Sequence, residues 1–273
     1  MTSIYQVDAF TSTPFTGNAA AVCIEPPTAD DRWLQDVATE MNVGATAFLW
    51  RNGSRWKLRW FAPAAELTLC GHATLASAHI LWEAGLVSAD EPLEFETRSG
   101  ILRASRQGRA IALDFPAERA EPAASDAVRG VLQDAQIVWI GRNRLDFLVE
   151  LKSEAAVRAA APDLTKLAAI QTRGLIVTAP SDDPRYDFVS RFFAPALGIP
   201  EDPVTGSAHC ALGPYWAARL DKQELIGYQA SRRSGVVGIA VAGERVTLSG
   251  EAVTVLRGEL MPVPPRSPSR GAQ

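Results

Sequence analysis

The chain has 273 residues, 47% of them hydrophobic and 21% charged, and its 27 basic and 31 acidic side chains leave a net charge of −4. This length suits two cores better than one, the composition is globular, and the charge balance gives no general attraction to nucleic acid or membrane lipid. The opening MTSIYQVDAFTSTPF lacks the basic and apolar regions of an export signal, no transmembrane run follows, and Cys23, Cys70 and Cys210 show no CxxC spacing, so a reducing cytoplasm without disulfides is expected.

In chain order, helical spacing of Leu34, Val37, Ala38 and Met41 leads to a short apolar strand, Ala47-Phe48-Leu49-Trp50. After a turn comes Arg59-Trp60-Phe61-Ala62-Pro63, and then LCGHATLASAHIL, where a helix opens at Gly71. That helix carries Ala73, Leu75, Ala76, Ser77, Ala78, Ile80, Leu81 and Trp82 and has no polar face, which predicts a helix buried inside a curved antiparallel sheet. Gly85 supplies its left-handed stop. The alternating segment ILRASRQGRAIALDF predicts strands, and ERAEPAASD, from Glu118 to Asp126, reads as a joint.

Beyond the joint the order recurs. Leu164, Leu167 and Ala168 echo the first helix and Gly174-Leu175-Ile176-Val177 the first strand. Arg191-Phe192-Phe193-Ala194-Pro195 repeats the arginine-aromatic-Phe-Ala-Pro segment, and VTGSAHCALGPYW opens a second small-residue helix at Gly206. The expected fold is therefore α+β, with two pseudo-symmetric domains at 1–118 and 127–260. Each is a barrel-like, mostly antiparallel sheet around a central helix. Pro214 is expected to kink the second helix, and 262–273, PVPPRSPSRGAQ, to form a flexible tail.

Two helix starts at matching places would face each other across the joint and trap an anion, since free N–H groups and the positive dipole end act together. A substrate carboxylate, or the enolate-like charge left when a proton leaves carbon, fits such a trap. The residues there, Cys70-Gly71-His72 and Glu201 to His209, can move protons. A thiol at a helix start is expected to ionise more readily than usual. No GxGxxG follows a strand, no Walker loop is present, and three scattered histidines make no metal set, so neither cofactor nor metal is expected.

Four blocks, VDAFTSTPFTGNAAAVC at 7–23, MNVGATAFLW at 41–50, FAPAAELTLCGHATLASA at 61–78 and EDPVTGSAHCALGPYW at 201–216, resemble the PhzF-like family of the diaminopimelate epimerase superfamily. The resemblance implies two barrel-like domains, a homodimer, and cofactor-free proton transfer at carbon on a small carboxylate-bearing substrate. It implies His72 and Asp202 as the proton-handling and orienting pair, with Asn18, Gly71, Gly206 and Ser207 as the substrate-binding shell. The family's Asn-Leu-Ser-Glu-Thr motif, whose glutamate shuttles the proton, is matched here by Asn42-Val43-Gly44-Ala45-Thr46, so Ala45 replaces that glutamate. Cys70 stands where related epimerases and racemases place a first catalytic thiol, and Thr205 where they place the second.

Plainer roles exist for the same residues. Cys70 can be a small core side chain, Asp202 a turn residue, Ser207 a helix cap, and His72 a helix-start side chain bonded to nearby carbonyls. Cys23 and Cys210 read as core, His79 as an interior hydrogen-bonded histidine, and Glu66 as a residue that shapes the loop before Cys70; His209 stays open. The leading expectation is a PhzF-like isomerase. Its rivals are a non-catalytic anion-binding protein and a one-base dehydratase or epimerase that uses Cys70.

Overall fold

The computed structural model describes residues 2–26, 28, 30–133 and 135–261, so the expected tail at 262–273 lies outside it. The first half of the chain forms strands β1 (Thr2–Ala9), β2 (Asn18–Ile24), β3 (Ala45–Asn52), β4 (Arg55–Phe61), β5 (Glu66–Leu67), β6 (Leu93–Thr97), β7 (Gly100–Gln107) and β8 (Ala110–Pro116). The second forms β9 (Glu121–Pro122), β10 (Ile137–Arg142), β11 (Asp146–Leu151), β12 (Gly174–Pro180), β13 (Phe188–Ala194), β14 (Ile199–Asp202), β15 (Glu224–Gln229), β16 (Gly235–Ala242), β17 (Arg245–Gly250) and β18 (Ala252–Leu260).

Both halves lay their strands down in one pattern. β1 to β4 pair antiparallel, parallel, antiparallel, then β4 pairs parallel with β6, and β6 to β8 close as antiparallel hairpins. β10 to β13, β15, β16 and β17 repeat that series step for step. A parallel pair needs a crossover, and helices supply it. Helix α1 (Asp31–Met41) joins β2 to β3, and α2 (Gly71–Glu83) joins β4 to β6. After α3 (Asp126–Leu132), α4 (Glu154–Ala159) and α5 (Leu164–Ala168) join β11 to β12, and α6 (Gly206–Leu220) joins β13 to β15.

The halves are not separate in the sheet. β17 pairs with β8, and β18, the last strand, runs antiparallel to β1 from Thr2 opposite Leu260 to Ala9 opposite Ala252. Residues 252–260, expected to complete the second half, therefore complete the sheet of the first. β9, which lies in the joint, pairs antiparallel with β10 as β18 does with β1.

Helix α2 is buried at every position from His72 to Trp82 except His79. Its small side chains let the sheet approach on all sides, as a helix without a polar face requires. It ends where Gly85 adopts φ 68°, with Leu86 N–H donating to the Leu81 carbonyl at 3.0 Å and Gly85 N–H to that of Trp82 at 3.2 Å. Helix α6 runs unbroken through Pro214. Proline cannot bond the carbonyl four residues back, that of Cys210, and the Glu118 N–H takes it instead at 3.0 Å.

Strand alternation sorts the remaining core. Ala45, Ala47 and Leu49 of β3 face α2, whereas Phe48 faces out and packs with Leu34 and Ala38 of α1. In β12, Ile176 faces in, and Leu175 and Val177 face out against Val157 and Leu167. The repeated arginines have matching roles. Arg59 grips Glu66 through two bonds of 2.8 Å with its guanidinium 5.0 Å above Phe61, and Arg191 grips Glu201 at 2.7 and 2.9 Å, 4.8 Å above Phe193. Each fork ties its hairpin to the segment that leads into a central helix. Among the described residues no helix is long and apolar enough to cross a membrane.

Candidate active site

The two central helices begin against each other. A methyl group on Gly71 would stand 3.6 Å from the Cα of Gly206, and one on Gly206 would stand 3.6 Å from the Cα of Gly71. Those separations are ordinary van der Waals contact, so the two helix starts touch backbone to backbone. Phe115 of β8 and Leu248 of β17 lie beside the pair, so the joined strands form its floor.

These helix starts also differ in their caps. Asp30, Ser125, Ser153 and Asp163 each accept a backbone N–H at the start of α1, α3, α4 and α5, respectively. Cys70 and Thr205, the N-cap residues of α2 and α6, make no such bond. Thr205 spends its hydroxyl elsewhere, donating to Oδ2 of Asp202 at 2.6 Å. The first N–H groups of both central helices thus keep their capacity for an anion.

Asp202 is held from both halves. The Asn18 amide, at the start of β2, donates to its Oδ1 at 2.8 Å and to the Val204 carbonyl at 2.9 Å. Gln229, at the end of β15, donates to the Asp202 carbonyl at 2.7 Å and accepts the Thr205 N–H at 2.9 Å. Each carboxylate oxygen accepts one bond and retains room for another. Burial nevertheless outweighs these donors and lifts the Asp202 carboxyl from its ordinary 3.8 to about 6.

His72 is buried, and desolvation pulls its imidazole down to about 4, so the ring is neutral at pH 7. The Cys70 sulfur lies 3.5 Å from its Nδ1. A methyl on exposed Gly44 would stand 3.3 Å from His72 Nε2 and 3.0 Å from Asn18 Oδ1, which puts His72 and Asn18 together beside an exposed loop residue. The expectation of an easily ionised thiol is corrected here. Cys70 is 5% exposed and burial pushes it up to about 12, because removing a thiolate from water outweighs the pull of the nearby Ala73 N–H. At rest it is a protonated acid.

Ala45 is fully buried on the inward face of β3, in the same core as Cys70 and Ala73. Ser207 is half-buried as the second residue of α6, and Thr205 rather than Ser207 is the cap residue. His209 bonds the Thr205 carbonyl through Nδ1 at 2.8 Å, as Thr74 bonds the Cys70 carbonyl at 2.6 Å one turn into α2. His79 bonds Thr254 at 3.1 Å, and Glu66 holds Arg59 and Arg98. Gln229 carries no sequence mark of a site, since it sits in an alternating strand, and Gly44 lies in the Asn42–Thr46 segment, where Ala45 rather than the glycine is the candidate. Among the described residues no three His, Cys, Asp or Glu side chains are grouped to hold a metal ion.

The family model for phenazine biosynthesis-like proteins, PhzC-PhzF, matches residues 7–258. The chain belongs to that family. It is 52% identical to an uncharacterized isomerase of Halalkalibacterium halodurans, over 95% of this chain and 98% of the relative. It is 37% identical to the human phenazine biosynthesis-like domain-containing protein, over 94% and 98%. The crystal structure of a PhzF family protein from Enterococcus faecalis superposes with a TM-score of 0.90 at 38% identity, covering 95% of this chain and 99% of that one. A probable proline racemase from Agrobacterium radiobacter shares the PhzF fold at a TM-score of 0.64 and 11% identity, over 96% and 93% of the two chains.

Proposed function

We propose that this PhzF family member is a cofactor-independent isomerase that moves a proton between carbons of a small carboxylate-bearing substrate. The observation that carries the reading is the convergence of two uncapped helix starts beside a carboxylate that titrates near neutral pH. The helix N–H groups hold the substrate carboxylate and the enolate-like charge formed during reaction.

Asp202 takes the proton from a carbon next to an acidifying group, and the C–H electron pair moves into the enolate. Asp202, its proton exchanged with solvent, then delivers a proton to a second carbon, which completes the shift and restores the carboxylate. Cys70, protonated and beside the neutral His72 ring, is a second proton source. If it delivers the proton, its thiolate regains one from solvent and Asp202 releases its own. A pair of opposed thiols, as a two-base racemase uses, is not available, because Thr205 occupies the second place and its hydroxyl is committed to Asp202.

Ala45 favours a second reading, in which the cleft binds anions without catalysis. Incubation with a panel of amino, hydroxy and cyclohexadiene carboxylic acids in D₂O, followed by NMR, separates the two. Deuterium entering at carbon supports the isomerase; binding without exchange across the panel sinks it in favour of the binding protein. The family resemblance and the composition support a cytoplasmic homodimer as its working form.

A further inference from the structure

Helix α2 starts beside Gly206 and ends at Glu83, about 18 Å further along its axis. His79, the one position from His72 to Trp82 that is not buried, shares a face with Glu83 one turn on. Along β7, Leu102 and Ala104 point into the core, and Arg106 continues their register to the end of the strand, opposite Ile111 of β8. His79, Trp82, Glu83, Arg106, Arg109 and Ile111 surround a cleft of about 170 Å³.

The second half has no such charged lining. At the offset that relates Gly71 to Gly206, and the turn glycine Gly108 to Gly243, His79 falls on Pro214, Glu83 on Ala218 and Arg106 on Val241. Val241 is buried and packs toward α6, 3.4 Å from where a methyl on Gly213 would stand. The repeated unit therefore folds without charge at these positions, and the cleft beside α2 is not a requirement of the fold.

The lining carries both signs. The Arg106 guanidinium lies 5.8 Å over the Trp82 ring and pairs with no carboxylate among the described residues, and Arg109 meets Glu251 at 3.1 Å. Thr254 of β18 donates its hydroxyl to Oε2 of Glu83 and lies 3.1 Å from His79 Nε2, which leaves Oε1 of Glu83 able to accept again. His79 adds no charge, because burial holds its imidazole below the ordinary 6.5. Glu83 repels a simple anion and the arginines repel a simple cation, so a molecule bearing both charges suits the cleft best. Its size calls for a small one, since pockets for drug-sized ligands begin near about 300 Å³.

We propose that this cleft is a binding site for a small zwitterion of the amino-acid class, whose carboxylate meets Arg106 and whose ammonium meets Oε1 of Glu83. The ligand bridges the end of α2 to the β7–β8 hairpin, and its binding is independent of the isomerase reading.

The test is calorimetry with glycine, β-alanine and γ-aminobutyrate, which space the two charges differently, and with acetate and methylammonium, which carry one each. Wild type, Glu83→Gln and Arg106→Gln are compared. At least one of the three amino acids is expected to bind about tenfold or more tighter than either single-charge probe, and each variant to weaken it by about tenfold. Glutamine at 83 still accepts the Thr254 hydroxyl, so fold and charge are separated. The Trp82 indole N–H resonance of the wild type should shift with the same Kd. Binding unchanged in both variants, or without a Trp82 shift, places the amino acid elsewhere and overturns the proposal. Acetate binding as tightly as the amino acids, or no saturable amino-acid binding up to about 10 mM, also overturns it.

Discussion

Asn18 and Asp202, from opposite halves of the chain, are joined by a 2.8 Å hydrogen bond from the Asn18 amide to Oδ1 of the carboxylate. The same amide fixes the Val204 carbonyl, so one side chain sets both the acid and the turn into α6. Asn18→Ala removes a charge-assisted bond and orphans a buried carbonyl. The expected loss is about 2–4 kcal/mol in urea unfolding. Because Asn18 is one of the groups that hold the Asp202 pKa down, NMR titration of the variant should place it above the wild-type value of about 6.

Asp202 also makes stability depend on pH. Its folded pKa is raised from 3.8 to about 6, so below 3.8 the carboxyl is protonated in both states and nothing is lost. As pH rises through about 6 the folded protein must ionise a desolvated acid, and stability falls by an amount approaching about 3 kcal/mol. Asp202→Asn should therefore be more stable than the wild type at pH 8 by roughly 2–3 kcal/mol, with the gap closing near pH 4. Solvent exchange at substrate carbon should fall about 10²–10⁴-fold in this variant. Denaturant titrations at the two pH values and NMR exchange rates check both halves of the prediction.

The high pKa of Cys70 bears on labelling. Cys23, Cys70 and Cys210 are all buried and burial raises each to about 12, so folded protein at pH 7.5 should resist iodoacetamide and react fully once denatured. Mass spectrometry of the two samples reads this directly. Cys70→Ser should slow deuterium exchange by about 10-fold or more and leave carboxylate affinity unchanged, since a hydroxyl is the poorer proton donor.

Ala45 offers the reverse experiment. The β3 face that carries it points toward α2, and Ala45→Glu places a carboxyl where the proposed function would use a proton shuttle. The exchange rate should rise by about 10² or more. Tm should drop by several degrees, because the new group enters an apolar surround. A variant that loses stability and gains no exchange would show that the carboxylate cannot reach the substrate from this strand.

The doubled unit was legible because its repeated residues repeat a physical task. Arg59 and Arg191 each fork onto an acid ahead of a helix start, and Gly71 and Gly206 each open a central helix where the two starts meet. Asp202, His72 and Asn18 sit in or beside those marked segments, and the structure brings them together. The thiol was misjudged because sequence shows the helix start and hides the burial that outweighs it. The contacts of Gln229 and the pairing of β18 with β1 are long-range relationships. A strand's alternation gives its faces but not its neighbour, so no local pattern announces them.

The placement of β18 beside β1 has a consequence for biosynthesis. On the ribosome β1 emerges long before residues 252–260, so one of its edges stays unsatisfied through most of translation and can recruit neighbouring nascent chains. A chain released at residue 251 would carry that open edge permanently and should precipitate rather than yield a smaller soluble protein.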